Sequence, residues 1–137
     1  VKNGGLDMDF ESWIKQAPKQ LREDPLWKSK YYQLAMYLYD LTWEDCDQLN
    51  KDFRGREVAR QLVKSCGSIS ANMEEAYGRA AGTADHRRVL RISLGEARES
   101  KGWYLRARRL FPEDMLQSRL DLLDQIIGLL VNLIYRK

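Results

Sequence analysis

The sequence predicts an all-α protein, an antiparallel up-down four-helix bundle with a short extra N-terminal helix. Three observations point there. Apolar residues recur at the helical period over long stretches, with no alternating run that would mark a strand. The chain has only 3 prolines in 137 residues, and Leu, Ala, Arg, Glu and Lys, all helix formers, are abundant. Short polar connections separate four long periodic segments, and short connections make antiparallel neighbours. The length suits one domain, divided at residue 23 into an N-terminal tail with a short helix (1–23) and the bundle proper (24–137).

The elements follow in chain order. Val1-Lys2-Asn3-Gly4-Gly5 reads as a cloning remnant or a frayed tail. Asp7 or Asp9 can cap a first helix carrying Phe10, Trp13 and Ile14 on one side, which Pro18 should bend or end. Asp24-Pro25 starts the next helix, an N-cap followed by a proline with no amide to lose; it runs to about Leu41. Thr42 reads as a new cap, with a short continuation to Leu49. A second long helix spans about Arg56 to Tyr77 on the line Val58, Leu62, Cys66, Ile69, Met73 and Ala76. Gly78 is placed to close it in the left-handed conformation. Thr83 or Asp85 caps the third helix, His86 to about Leu110. Phe111-Pro112 turns the chain into the last helix, which runs to about Tyr135.

That last helix carries two apolar lines. Leu116, Leu120, Leu123, Ile127, Leu130 and Ile134 form one; Leu122, Ile126, Leu129 and Leu133 form the other. Such width predicts contact with a second subunit, or else one broad core contact.

Charge is unevenly placed. Net charge is +3 overall, but residues 54–109 hold 13 basic and 6 acidic side chains, net +7, between flanks of −3 and −1. A basic block suggests a polyanionic partner, or a face that pairs with an acidic neighbour. At about 100° per residue, Arg87, Arg91, Arg98 and Arg109 share a narrow stripe on the third helix. Lys101 and Arg108 flank one side, Arg88 and Arg106 the other. Val89, Ile92, Ser93, Ser100, Trp103 and Ala107 fall opposite, toward the core. Guanidinium groups match phosphate oxygens with paired hydrogen bonds, so the ridge (Arg87, Arg88, Arg91, Arg98, Lys101, Arg108, Arg109) is the candidate nucleic-acid-binding set. Leu94 and Leu105 interrupt it, as a subunit interface would require. No aromatic ladder lines it, so binding should be electrostatic and poorly sequence-selective.

Catalysis finds little footing. The single histidine, His86, has no Glu three residues before it, unlike the Glu-x-x-His pairs of metal-binding bundles. No Ser-His-Asp set can be assembled around it. Cys66 lies on an apolar line and reads, with Cys46, as a reduced structural thiol. Gly78 and Gly82 match no nucleotide loop. The expectation is a non-enzyme with no catalytic residue, metal or cofactor. No apolar run approaches the ~18 residues of a membrane span, and a cytoplasmic location is expected.

One stretch stands apart: Ser68-Ile-Ser-Ala-Asn-Met-Glu-Glu-Ala-Tyr-Gly-Arg79. It sets Asn72 and Glu75 beside Ile69, Met73 and Ala76, and with Glu99 they are expected to form a structural polar network between packed helices. Together with Gln61-Leu-Val-Lys-Ser-Cys-Gly67 and Leu90-Arg-Ile-Ser-Leu-Gly-Glu-Ala-Arg-Glu99, it resembles a bacterial four-helix-bundle family. That family includes proteins of 23S ribosomal RNA intervening sequences and the accessory variability proteins of diversity-generating retroelements. The likeness covers the chain from Asp24 onward. Ser70 stands where the family usually has proline, Ala76 where it has glycine, and Glu96 where serine follows Gly95. The resemblance implies a homopentamer with a positive surface, which in the retroelement members binds nucleic acid and the reverse transcriptase. The sequence therefore leads to a nucleic-acid-binding accessory protein acting on RNA or DNA phosphates. The alternative is a protein-interaction scaffold with no nucleic-acid role.

Overall fold

The computed structural model describes residues 8–136; the five-residue start and Asp7 lie outside them. Every regular element among the described residues is helical. The helices are α1 (Phe10–Gln16), α2 (Lys19–Arg22), α3 (Lys30–Leu49), α4 (Phe53–Tyr77), α5 (Ala84–Arg106) and α6 (Glu113–Tyr135). Helices α3 to α6 form the bundle: α3 packs on α4, α4 on α5, α5 on α6, and α6 closes the circuit against α3. Helix α1 lies on α3, where the buried Trp13 donates its indole N–H to Asp40 at 2.8 Å.

Side chains start the helices, Asp9 and Thr83 as the sequence suggests and Asp52 where no cap is expected, ahead of Arg56. Asp9 accepts from the Ser12 amide at 2.8 Å, and Asp52 accepts from the amides of Arg54 and Gly55. Thr83, rather than Asp85, accepts from the His86 amide. Each bond satisfies an amide that the helix cannot pair internally.

Several boundaries differ from expectation. Asp24-Pro25 opens a single turn of 3-10 helix (Pro25–Lys28), and α3 begins after it. Thr42 does not start a new helix. It is fully buried inside α3, and its hydroxyl bonds Tyr104 Oη at 2.8 Å, so a side-chain partner across the core takes the place of a cap. Gly78 is right-handed (φ −73°), and the left-handed residue is Gly82 (φ +81°). Gly55 is required for proximity: a Cβ there would sit 2.1 Å from the Leu49 carbonyl oxygen. Helix α4 can therefore begin hard against the end of α3.

The core is continuous through the four helices. In α6 it takes Leu122, Leu123, Ile126, Leu130 and Ile134, while Leu116, Leu120, Ile127 and Leu129 are half-buried at its edges. The two apolar lines are thus the margins of one wide buried face, since α6 packs on both α3 and α5. Gln117, Asp121, Asp124, Gln125 and Asn132 give it a polar outer half. Leu133, on the second line, stays 38% exposed, so part of that line lies outside the core.

The buried polar network lies elsewhere than expected. Asp45 of α3 is 4% exposed; one carboxylate oxygen accepts from Tyr104 Oη at 2.6 Å and Arg119 Nε at 2.8 Å, the other from Arg119 Nη2 at 3.0 Å. Thr42 extends the chain from Tyr104 to Cys66. Four helices meet through these five side chains. Burial, reinforced by the Asp45 charge, pushes the Tyr104 phenol well above its usual range. Burial likewise pushes Cys66 up to about 12 and Cys46 to about 11, so both cysteines remain protonated thiols near neutrality.

Candidate nucleic-acid interface

Helix α5 buries Val89, Leu90, Ser93, Leu94, Ala97, Ser100 and Tyr104. Small hydroxyls set its approach to α4: Ser93 donates to the Ile69 carbonyl at 2.7 Å, and Ser100 meets Ser65 at 2.8 Å. Ile92 and Trp103, expected on this face, are 43% exposed and half-buried, respectively, while Leu94 is buried. The buried arc is turned toward Leu94 because α5 is flanked by α6 as well as α4. The arginine ridge therefore runs along the margin of α5 next to α6, rather than diametrically opposite the core.

The ridge residues differ in how far they are committed. Arg87 donates to the Gly82 carbonyl, and Arg108 to the Leu105 carbonyl. Arg88 pairs with Asp85 at 3.0 Å, and Lys101 reaches Asp124 of α6 at 2.6 Å. The Arg91 guanidinium stacks 5.5 Å from the Tyr135 ring centroid. Arg98 and Arg109 are exposed and make no ion pair or hydrogen bond among the described residues. An exposed ion pair contributes ~1 kcal/mol or less, so the Arg88–Asp85 pair would yield readily to a phosphate.

From Arg87 to Arg106 the helix rises about 28 Å. Arg109 lies past its end, on the 3-10 turn Arg108–Leu110, where a helical wheel no longer sets direction. It joins Arg54 and Arg106 around a cleft of about 100 Å³ between the start of α4 and the end of α5. At the other end, Arg87 and Arg91 share a cleft of about 520 Å³ with His86, Tyr135 and Arg136. The ridge is thus a line with a cationic cluster at each end, bridged by Arg98. Arg54, Arg136 and Tyr135 escape a reading of the sequence because they come from other helices. The antiparallel pairing of neighbouring helix ends is the one signal that could have found them.

Asn72, Glu75 and Glu99 are not brought together. Asn72 donates to the Ser68 carbonyl one turn back in its own helix at 2.7 Å. Glu75 is exposed and pairs with Arg79 at 2.6 Å; Glu99 is exposed and accepts from the Trp103 indole at 2.9 Å. Both carboxylates lie more than a third of a turn from the buried line of their helix, which carries them to solvent. The motif's last residue does tie two elements together: Arg79 brackets Glu75 and Asp85, and so clamps the end of α4 to the start of α5.

This fold and these sequence blocks have relatives. The profile of the 23S rRNA-intervening sequence proteins matches residues 28–132. The chain belongs to that family. A solved structure of a protein of unknown function from the S23 ribosomal protein family of Bacteroides thetaiotaomicron shares the fold, with a TM-score of 0.69 and 24% identity over 77% of this chain and 98% of that one. No curated protein matches significantly. The match spans α3 and α4, α5, and nearly all of α6, so the arginine ridge lies inside the family domain. Among the described residues no helix is long and apolar enough to cross a membrane, and no cluster of His, Cys, Asp or Glu could hold a metal ion.

Proposed function

We propose that this member of the family is a non-enzymatic accessory protein that binds RNA or DNA through backbone phosphates along the α5 ridge. The observation that carries this reading is the standing of Arg98 and Arg109. Both are exposed and lack an internal partner among the described residues, Arg98 on a line with Arg87 and Arg91 and Arg109 in the cluster beyond the end of α5. Guanidinium groups without an internal partner stay open to an anion, and a phosphate chain is a repeating anion. The protein works in the cytoplasm as a homo-oligomer, a pentamer by the family resemblance, so that one weak ridge is repeated around a ring. A retroelement reverse transcriptase is the partner protein this reading names.

The test is binding of the purified protein to arbitrary RNA and DNA as salt is raised. Affinity should fall steeply and about equally for unrelated sequences, because released counterions drive it. Absence of binding at low salt would end the proposal. A second reading, a protein-interaction scaffold, draws on Leu105, which stands 40% exposed within the ridge. Under that reading the arginines would meet acidic groups of a neighbouring chain, and their loss would dissociate the assembly.

A further inference from the structure

No aromatic side chain shares the ridge's own face, but the fold brings one to it from another helix. Helix α6 runs antiparallel beside α5, so its last turn arrives at the first turn of α5. There Tyr135 is 57% exposed, with the Arg91 guanidinium 5.5 Å from its ring centroid. Arg87, Arg91 and Arg136 line the same cleft of about 520 Å³, together with His86 and Tyr135, and no carboxylate side chain of the described residues lines it. Arg87 is held at the rim by its bond to the Gly82 carbonyl, which leaves its remaining N–H groups to face a ligand. A volume of this order suits one nucleotide-sized group.

Cations alone would serve a phosphate. An exposed tyrosine among them adds a flat surface that only an unpaired base can use, because the base faces in a duplex are covered by their neighbours. We infer that this cleft seats one unpaired nucleotide of a nucleic-acid strand, its phosphate among Arg87, Arg91 and Arg136 and its base stacked on Tyr135. The inference rests on the phosphate-binding reading of the ridge and sharpens it. The ridge accepts any phosphate chain, whereas the cleft selects a single-stranded segment or end.

The test uses fluorescence anisotropy with a short oligothymidylate and a blunt duplex of equal length. Tyr135→Ala should weaken binding of the single strand by about 5- to 150-fold, the range expected for losing one stacked base. Duplex binding should stay unchanged. Tyr135→Phe keeps the ring and should bind both probes within about twofold of the wild type. Tyr135 is exposed at a helix end, so neither variant should disturb the fold. If the wild type binds both probes with steep salt dependence and Tyr135→Ala binds the single strand as tightly, the cleft assignment is overturned and the ridge reading stands. An equal loss on both probes also overturns it. If the wild type binds neither probe, the ridge reading falls and takes the cleft with it.

Discussion

Arg119 and Arg98 are the same side chain in opposite circumstances. Arg119 is 12% exposed and clasped by Asp45 through both carboxylate oxygens. Arg98, on the rim of the next helix, faces solvent with no partner among the described residues. The inner guanidinium is consumed by the fold, because a buried charge must be neutralised where it stands. The outer one costs the fold nothing and contributes nothing to it, so it remains available to a ligand. Burial and partnership, rather than residue type, separate the structural arginine from those proposed to bind phosphate.

The contrast can be broken first from the inside. Asp45→Ala strands Arg119 and removes the acceptor of Tyr104, and should cost about 3–5 kcal/mol in chemical denaturation. Pairing it with Arg119→Met removes the stranded charge and should recover a good part of that loss. A loss below about 1 kcal/mol for the single variant would mean that the inner network is not integral to the fold. Leu123, fully buried in α6, tests the apolar frame around the network. Leu123→Ala should cost about 2–5 kcal/mol; a near-neutral result would return α6 to a role between subunits.

Outer residues should answer differently. Glu75→Ala should change stability by no more than about 0.5 kcal/mol, since among the described residues Glu75 pairs only with Arg79, at the surface. A large drop in Tm would place Glu75 in a buried contact between subunits. The smallest effect concerns acid. Hydrogen bonds from Arg54 hold the Asp52 carboxyl below its usual range, and bonds from Arg88 do the same for Asp85. A lowered folded-state value stabilises the protein above the unfolded value near 3.8, and this is lost as pH falls through the folded value. Asp85 is exposed and Asp52 half-buried, and Asn caps a helix as well as Asp, so replacing either with Asn should trim acid sensitivity slightly and leave neutral stability close to wild type.

Much of the fold is legible in the sequence because it follows from helical period and cap chemistry. Asp9, Asp24 and Thr83 mark element starts within a few residues, whereas Asp52, the cap of α4, goes unread. The errors share a cause. Thr42 looks like a cap until Tyr104, 62 residues away, is seen to claim its hydroxyl. Asp45 and Arg119 lie 74 residues apart and in separate apolar patterns, so no local window couples them. Glu75 and Glu99 sit near apolar lines in sequence but more than a third of a turn from them on the helix. The ridge is visible as a stripe on one helix. Its end clusters are hidden, because Arg54, Tyr135 and Arg136 reach it only through the antiparallel packing of α4 and α6 on α5.

By the reading proposed above, the outer arginines bind phosphate and leave the fold untouched. The most direct measurement compares wild type with Arg91→Gln/Arg98→Gln, following duplex affinity against salt and particle mass together. We expect the log–log slope to flatten by about 0.9 for each phosphate that is no longer neutralised, affinity to weaken evenly across sequences, and mass and Tm to stay as in the wild type. An unchanged slope, or dissociation of the double variant into monomers, would contradict the claim and make the ridge an interface between protein chains.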